Sequence, residues 1–363
     1  MPDKIRVAVI GTGFGTTVHV PAFQSCPDTE VVAIVSGREQ RAREAAAKFG
    51  IPDWSTDYRE VVQRSDVDLV SISTPPYEHH PMAMAALDAG KHVLLEKPMA
   101  LNVGEAQALL AKAQAKGVIH AVAHEFRFAP ARAYMKHLVD HGYLGRLHHV
   151  NATLFTGGRV GSLASPHYTW AAQRAMGGGF LMALGSHFID AFRHWFGDFA
   201  GVSGQVYTHR PERVDAVTGE PGMADADDAF TCTLRFKNGA WGTLTFSQAA
   251  PFGSGCRIEA YGSEGTLISP QTGFNPEPDG YLMGAKVGDK ELQRLTPPES
   301  YRPFVDDRDV RLLPFRLMVD KLVHAIRAGT QVEGASFADG LRVQEVVDGI
   351  YTSSDTGRWV DIR

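Results

Sequence analysis

Three short stretches carry side chains whose types and spacing suit chemistry. GTGFGTTVHVPAF, from Gly11 to Phe23, follows an apolar run and opens a helical pattern, the setting in which a glycine cluster binds a dinucleotide. Gly11 permits a tight turn and Gly13 lets the main chain approach a pyrophosphate, which the N-terminus of the following helix then stabilises. Thr12, Phe14 and Gly15 complete the loop. The third position of G-x-G-x-x-G holds Thr16, with a glycine one place early at Gly15, so the motif is imperfect and a tight turn without a ligand is the plain alternative. KHVLLEKPMA, from Lys91 to Ala100, places Glu96, Lys97 and Pro98 at the end of a strand pattern. Proline keeps its predecessor extended, which turns Lys97 toward the crevice beyond the strand ends. An ammonium there hydrogen-bonds a carbonyl or hydroxyl oxygen and stabilises negative charge that develops on it during hydride transfer, a surface salt bridge being the alternative. GGGFLMALGSHFID, from Gly177 to Asp190, leads a triple glycine into an apolar segment with one histidine, His187. That ring is either a proton acceptor or a satisfied core histidine, and Asp190, three residues on, shares its helical face and is placed to orient it.

Such groups must be held at strand ends. Short β-branched runs at 5–10, 30–35, 67–73, 91–96 and 118–123 alternate with helical patterns that end on glycine, which predicts a doubly wound parallel sheet, an α/β Rossmann domain over residues 1–125. At the end of the second strand, VSGREQR offers Ser36, Gly37 and Arg38, with no carboxylate before Glu39. An acidic residue in that place binds the ribose hydroxyl of NAD, whereas a guanidinium suits the phosphate of NADP, so NADP is favoured and NAD stays open. Later the pattern changes: TCTLRF and GAWGTLTF flank Asn238–Gly239, a hairpin signal, and further strands read at GCRIEAYG and GTLIS. A second domain over residues 126–363, α+β with a mostly antiparallel sheet, is expected, with a long loop from 270 to 310 and closing helices at about 312–328 and 335–352. SPHYTW, 165–170, offers Tyr168 and Trp170 as a polar and a stacking wall for a sugar ring, surface-loop packing being the alternative.

At 363 residues the chain exceeds one hydrophobic core. Its 44% hydrophobic and 21% charged residues are ordinary for a globular protein, and no stretch approaches the roughly 18 apolar residues of a membrane helix. The N-terminus lacks the long apolar region of a signal peptide, so a cytoplasmic location is expected. Three cysteines, far apart and without C-x-x-C, suggest neither disulfides nor a zinc site, and no metal is expected. A net charge of −5 without a basic run excludes an electrostatic footprint for nucleic acid and leaves small molecules as partners.

Taken together, GTGFGTTVHVPAF, the segment from Thr74 to Ala100, FRFAP, GGGFLMALGSHFID and the tail GLRVQEVVDGIYTSSDTGRWVDI resemble the glucose-fructose oxidoreductase, inositol dehydrogenase and rhizopine catabolism family, Gfo/Idh/MocA, over nearly the whole chain. T-P-x-x-x-H followed by A-G-K-H-V-x-x-E-K-P is the most specific mark. The resemblance implies that Lys97 lies beside nicotinamide and substrate, that Thr74, Pro75, His79 and Glu96 contact the cofactor, His79 near the nicotinamide end with helix capping open for it, and that Arg127, among His124, Glu125 and Arg127 after the last Rossmann strand, lies at the substrate site in a structural rather than a catalytic role. It implies an open-faced sheet that carries the substrate site and joins copies into a homodimer or homotetramer. Many members carry an aspartate four residues before the histidine; here Ala183 stands there, removing an electrostatic support for imidazolium. The implied activity is hydride transfer between NADP, or NAD, and a secondary alcohol or ketone of a sugar, cyclitol or related polyol. Redox-assisted glycoside cleavage with a tightly bound cofactor, and a sugar- or nucleotide-sensing regulator without turnover, are the alternatives.

Overall fold

The computed structural model describes residues 4–157, 167–271 and 280–362. In the first of two units the β-branched runs become β1 (Ile5–Ile10), β2 (Thr29–Val35), β3 (Asp53–Ser55), β4 (Leu69–Ile72), β5 (His92–Leu95) and β6 (His120–Val122). They pair in parallel in the order β3-β2-β1-β4-β5-β6. Five strands coincide with the expected runs; β3, three residues long, is too short to show a periodicity. All four positions of β4 are buried, as a sheet covered on both faces requires. The covering helices include α1 (Val20–Ser25), α2 (Glu39–Phe49), α3 (Tyr58–Val62), α4 (His79–Asp88) and α5 (Val103–Lys116). Left-handed Gly50 and Gly117 stop α2 and α5, which only glycine does without strain. Because the strands run parallel, everything that follows β1, β2, β4, β5 and β6 emerges at one edge, and the order reverses between β1 and β4, where ligands of such sheets bind.

The second unit contains α6 (Pro130–Asp140), β7 (Leu147–Phe155), α7 (Ser186–Phe196), β8 (Phe199–Tyr207) and a small ribbon, β9 (Glu212–Val214) with β10 (Pro221–Met223). It continues through β11 (Ala229–Phe236), β12 (Trp241–Ser247), β13 (Gly255–Gly262), β14 (Gly265–Gln271), β15 (Leu282–Lys286), β16 (Gln293–Leu295) and, near the chain end, β17 (Val360–Asp361). Nine of these strands form one sheet, β16-β15-β14-β13-β7-β12-β11-β8-β17, antiparallel except where β7 meets β12. Along β7, Val150, Ala152 and Leu154 are buried while their neighbours are more open, so one face packs and the other stays uncovered within the unit. The packed face meets Phe188, Ile189 and Phe192 of α7 in one core with Phe230 and Phe246. Residues 270–310 depart from the expected long loop: β15 and β16 extend the sheet there. Their pairing partners lie at the sheet edge, and the surrounding Pro, Gly and Asp mask strands this short.

The closing helices are α8 (Leu312–Ala328) and α9 (Phe337–Thr356), the latter four residues longer than its expected end at 352. Contacts divide the chain into Met1–Glu125 with Asp306–Arg342, and Phe126–Val305 with Val343–Arg363. The segment 306–342, expected in the second domain, thus packs with the first unit. Its reason is local: Phe315 of α8 is fully buried with its ring 4.5 Å from His19 and 6.4 Å from Phe14, and Ala335 O accepts from Val122 N at 2.7 Å. Among the described residues no helix is long and apolar enough to cross a membrane. Removing the Phe315 ring should cost about 3–5 kcal/mol. Urea denaturation of Phe315→Ala measures this, and a loss below about 1 kcal/mol would show that α8 is not what covers the first glycine loop.

Candidate active site

The glycine loop sorts its three glycines by role. Gly11 has φ +114, and a Cβ there would lie 2.7 Å from Ser73 O. A Cβ on Gly15 would lie 2.6 Å from Ser73 Oγ, whereas one on exposed Gly13 would meet nothing within 4 Å. The first glycine thus serves the turn, the last serves packing on β4, and the middle one leaves its outer side open to a ligand, the division of labour of a dinucleotide loop. The imperfect spacing has a structural basis: Gly15–His19 form a π-helical turn ahead of α1, so the packing glycine comes one place early, and Thr16 uses its hydroxyl to donate to Thr12 O at 2.9 Å. At the end of β2, Ser36 Oγ accepts from Thr12 Oγ1 at 3.2 Å and from Arg38 N at 3.3 Å. Gly37 and Arg38 are exposed. Glu39 turns along α2 to pair with Arg43 at 3.7 Å.

The lysine turn rests on a buried carboxylate. Glu96 is 6% exposed; its Oε1 is 3.0 Å from His19 Nε2 and its Oε2 accepts from Lys97 N at 3.2 Å. The other ring nitrogen of His19 is 2.7 Å from Ser71 Oγ. Burial acts to raise the pKa of Glu96 but is outweighed by the His19 hydrogen bond and the Lys97 charge, which lower it. Both Glu96 oxygens are thus engaged within the unit, and the adjoining Lys97 is half-buried. The Lys97–Pro98 peptide is cis. His79, expected beside nicotinamide, is fully buried, with ring nitrogens 2.9 Å from both Pro98 O and Thr74 O, and burial lowers its pKa. It ties the lysine turn to the Thr74–Pro75 turn from behind. Thr74 and Pro75 remain half-buried at that edge.

Of two further groups in this unit, one escaped the sequence reading and the other was marked there by position alone. Arg311 sits over the Phe14 ring at 5.0 Å and is held by Asp309 through Nε at 2.8 Å and Nη2 at 2.6 Å. Glu125, at the end of β6, is 3% exposed, and its pKa is pushed up to about 8 by burial and by the Glu96 charge, against Lys97 and Arg311. Position after a strand was the only signal for Glu125, and nothing local marked Arg311.

In the second unit the triple glycine opens the path into α7. A Cβ on Gly178 would lie 2.5 Å from Ala171 O, and Gly179, at φ +111, faces the Asp227 carboxylate. Asp227 accepts from Leu181 N at 2.8 Å and from the Tyr351 hydroxyl at 2.8 Å, anchoring a π-helical turn, Leu181–Gly185, that contains Ala183. Burial, its largest influence, raises Asp227 to about 6 despite those bonds. His187 is 2% exposed and lies flat on Phe126, centroids 3.9 Å apart. Asp190 accepts from Arg127 Nε at 2.7 Å and Nη2 at 2.5 Å, both residues being buried. That bidentate pair fixes the Arg127 fork against the Asp190 carboxylate. Tyr168 packs its ring against Gly222 of the ribbon, and its N donates to Val214 O at 2.8 Å. Half-buried Trp170 starts a short 3₁₀ turn. Ser165 and Pro166 of the same motif lie outside the described residues. Among the described residues no group of three or more His, Cys, Asp or Glu is arranged to hold a metal.

Residues 5–124 match a family model described as an oxidoreductase family with an NAD-binding Rossmann fold, and residues 133–268 match the GFO/IDH/MocA C-terminal domain. An uncharacterised oxidoreductase of Synechocystis is 32% identical, over 99% of this chain and 96% of its own. The levoglucosan dehydrogenase of Pseudarthrobacter phenanthrenivorans is 29% identical, over 99% and 98%. A solved levoglucosan dehydrogenase in complex with NADH and L-sorbose superposes with a TM-score of 0.89 at 26% identity, over 99% of both chains.

Asp227→Ala would leave Leu181 N and the Tyr351 hydroxyl without their acceptor and should lower stability by about 2–5 kcal/mol. Thermal and denaturant unfolding read this; an unchanged midpoint would mean that the triple-glycine entry is held by something else.

Proposed function

Because the chain belongs to the Gfo/Idh/MocA oxidoreductases, with their NAD-binding Rossmann domain, we propose that it moves a hydride between a nicotinamide cofactor and a secondary alcohol or ketone of a sugar or related polyol. The observation that carries this reading is that the open side of Gly13, the Ser36–Arg38 turn and Lys97 all leave the same edge of one parallel sheet. The glycine loop fits a pyrophosphate, and Ser36 with Arg38 fits the adenosine ribose. When bound, nicotinamide supplies the carbon that accepts or returns the hydride.

The chain's own residues do the rest. Lys97, anchored through its main chain to Glu96, holds the reacting oxygen and exchanges the hydroxyl proton. Because Ala183 stands where a carboxylate would support an imidazolium at His187, the proton is assigned to Lys97. The levoglucosan dehydrogenase relatives support an anhydrosugar, sugar or polyol as the substrate class. NADP is preferred over NAD in this reading, because Arg38 is exposed at the ribose turn while Glu39 is directed to Arg43.

Two outcomes follow. Arg38→Ala should erase an NADP preference worth about 1.5–3 kcal/mol, measured by calorimetric titration with both cofactors; equal affinities in the parent protein would assign NAD instead. Lys97→Ala should keep cofactor affinity while kcat falls about 100-fold or more, followed by absorbance of the reduced cofactor across a panel of polyols. Turnover within a few-fold of the parent would make Lys97 structural.

A further inference from the structure

Two buried carboxyls stand at adjacent strand ends with opposite surroundings. β5 and β6 pair in register, Leu95 with Val122, and Ala123 N donates to Leu95 O at 2.8 Å, so Glu96–Lys97 and His124–Glu125 leave the sheet side by side. Glu96 takes the available donors, His19 and the Lys97 amide. Glu125 is 3% exposed and its Oε2 is buried without a hydrogen-bond partner. The charges acting on it come from every side of this unit: Glu96 and Lys97 from the turn after β5, and Arg311 from the start of α8, whose guanidinium is already engaged by Asp309.

We propose that Glu125 is the proton partner of Lys97: it receives the proton that the lysine amine collects from a substrate hydroxyl, and returns it in the reverse direction, acting through the amine without touching substrate. This rests on the dehydrogenase reading above. In oxidation a bound oxidised nicotinamide would take up the hydride, and with it the electron pair of the substrate C–H bond. The O–H bond breaks as its proton passes to the Lys97 amine, and the carbonyl forms. The resulting ammonium N–H then breaks, the proton passes to the Glu125 carboxylate, and the amine is restored. Ketone reduction runs each transfer backwards, with Glu125 as the acid. Environments that push two neighbouring carboxyls apart in pKa separate their roles in this way. Glu96, held low, stays ionised as an anchor, while Glu125, raised to about 8, exchanges its proton near the working pH.

The test compares the full-length parent, Glu125→Gln and Glu125→Asp by two readouts. Infrared difference spectra across pH should show, in the parent, one carboxylic-acid carbonyl stretch that vanishes with a midpoint near about 8 and is missing from Glu125→Gln. This readout needs no substrate. In kinetics, kcat for alcohol oxidation should rise with pH through the same limb, and kcat for ketone reduction should fall through it. Glu125→Gln should lose the limb and about 100-fold in kcat at little change in KM, and Glu125→Asp should restore a limb. A parent spectrum with no such band overturns the proposal, as does a Glu125→Gln enzyme that keeps both limb and rate. If the band titrates but no polyol is turned over, the dehydrogenase reading falls and takes the proton-partner role with it, leaving a buried acid alone.

Discussion

A carboxylate withdrawn from water costs several kcal/mol unless donors satisfy it. Glu96 is such a group, and the first unit is arranged around its needs. His19 reaches it from the π-helical turn after the glycine loop, and the Lys97 amide reaches it from its own turn. Through the second nitrogen of His19 the contact extends to Ser71 in β4. One buried charge therefore fixes the cofactor loop, the central strand and the lysine relative to one another. Displacing any of the three would strand a charge or a donor in the interior.

The same economy of donors explains the chemistry on offer. With His19 and the Lys97 amide committed to Glu96, and Arg311 committed to Asp309, nothing neutralises Glu125 fully, and its proton is retained into the neutral range. In the second unit the donors are allotted differently. Asp190 receives the whole fork of Arg127, and the Arg132 guanidinium lies over Phe126 at 4.1 Å, the ring on which His187 is stacked. That histidine is buried, with its ring stacked on Phe126.

Local signals carried the parallel strands, the glycine stops of α2 and α5, the hairpin at Asn238–Gly239 and the span of α8, because each depends on residues close together in sequence. What depended on distant partners was hidden. Nothing in RLLPFRLMV shows that Phe315 will pack on His19, or that the segment 306–342 belongs with the first unit. β15 and β16 exist because a sheet edge is available to them. His79 and Asp190 lie on the expected elements, and the partners shown for them, two carbonyl oxygens and Arg127, come from elsewhere in the chain, where no local signal reaches. Glu125 follows the same logic: its significance lies in what its neighbours have already given to Glu96.

We place the cofactor's main-chain contacts on the open side of the glycine loop. At Gly13 a Cβ meets nothing within 4 Å, so folding tolerates a side chain there and a bound pyrophosphate does not. The most direct measurement is NADP and NAD affinity of Gly13→Val beside its melting temperature. An unchanged melting temperature with affinity lost by about 100-fold or more is the expected result. Affinity that survives in a folded Gly13→Val protein would contradict the placement of the cofactor, and with it the role given to the strand-end edge.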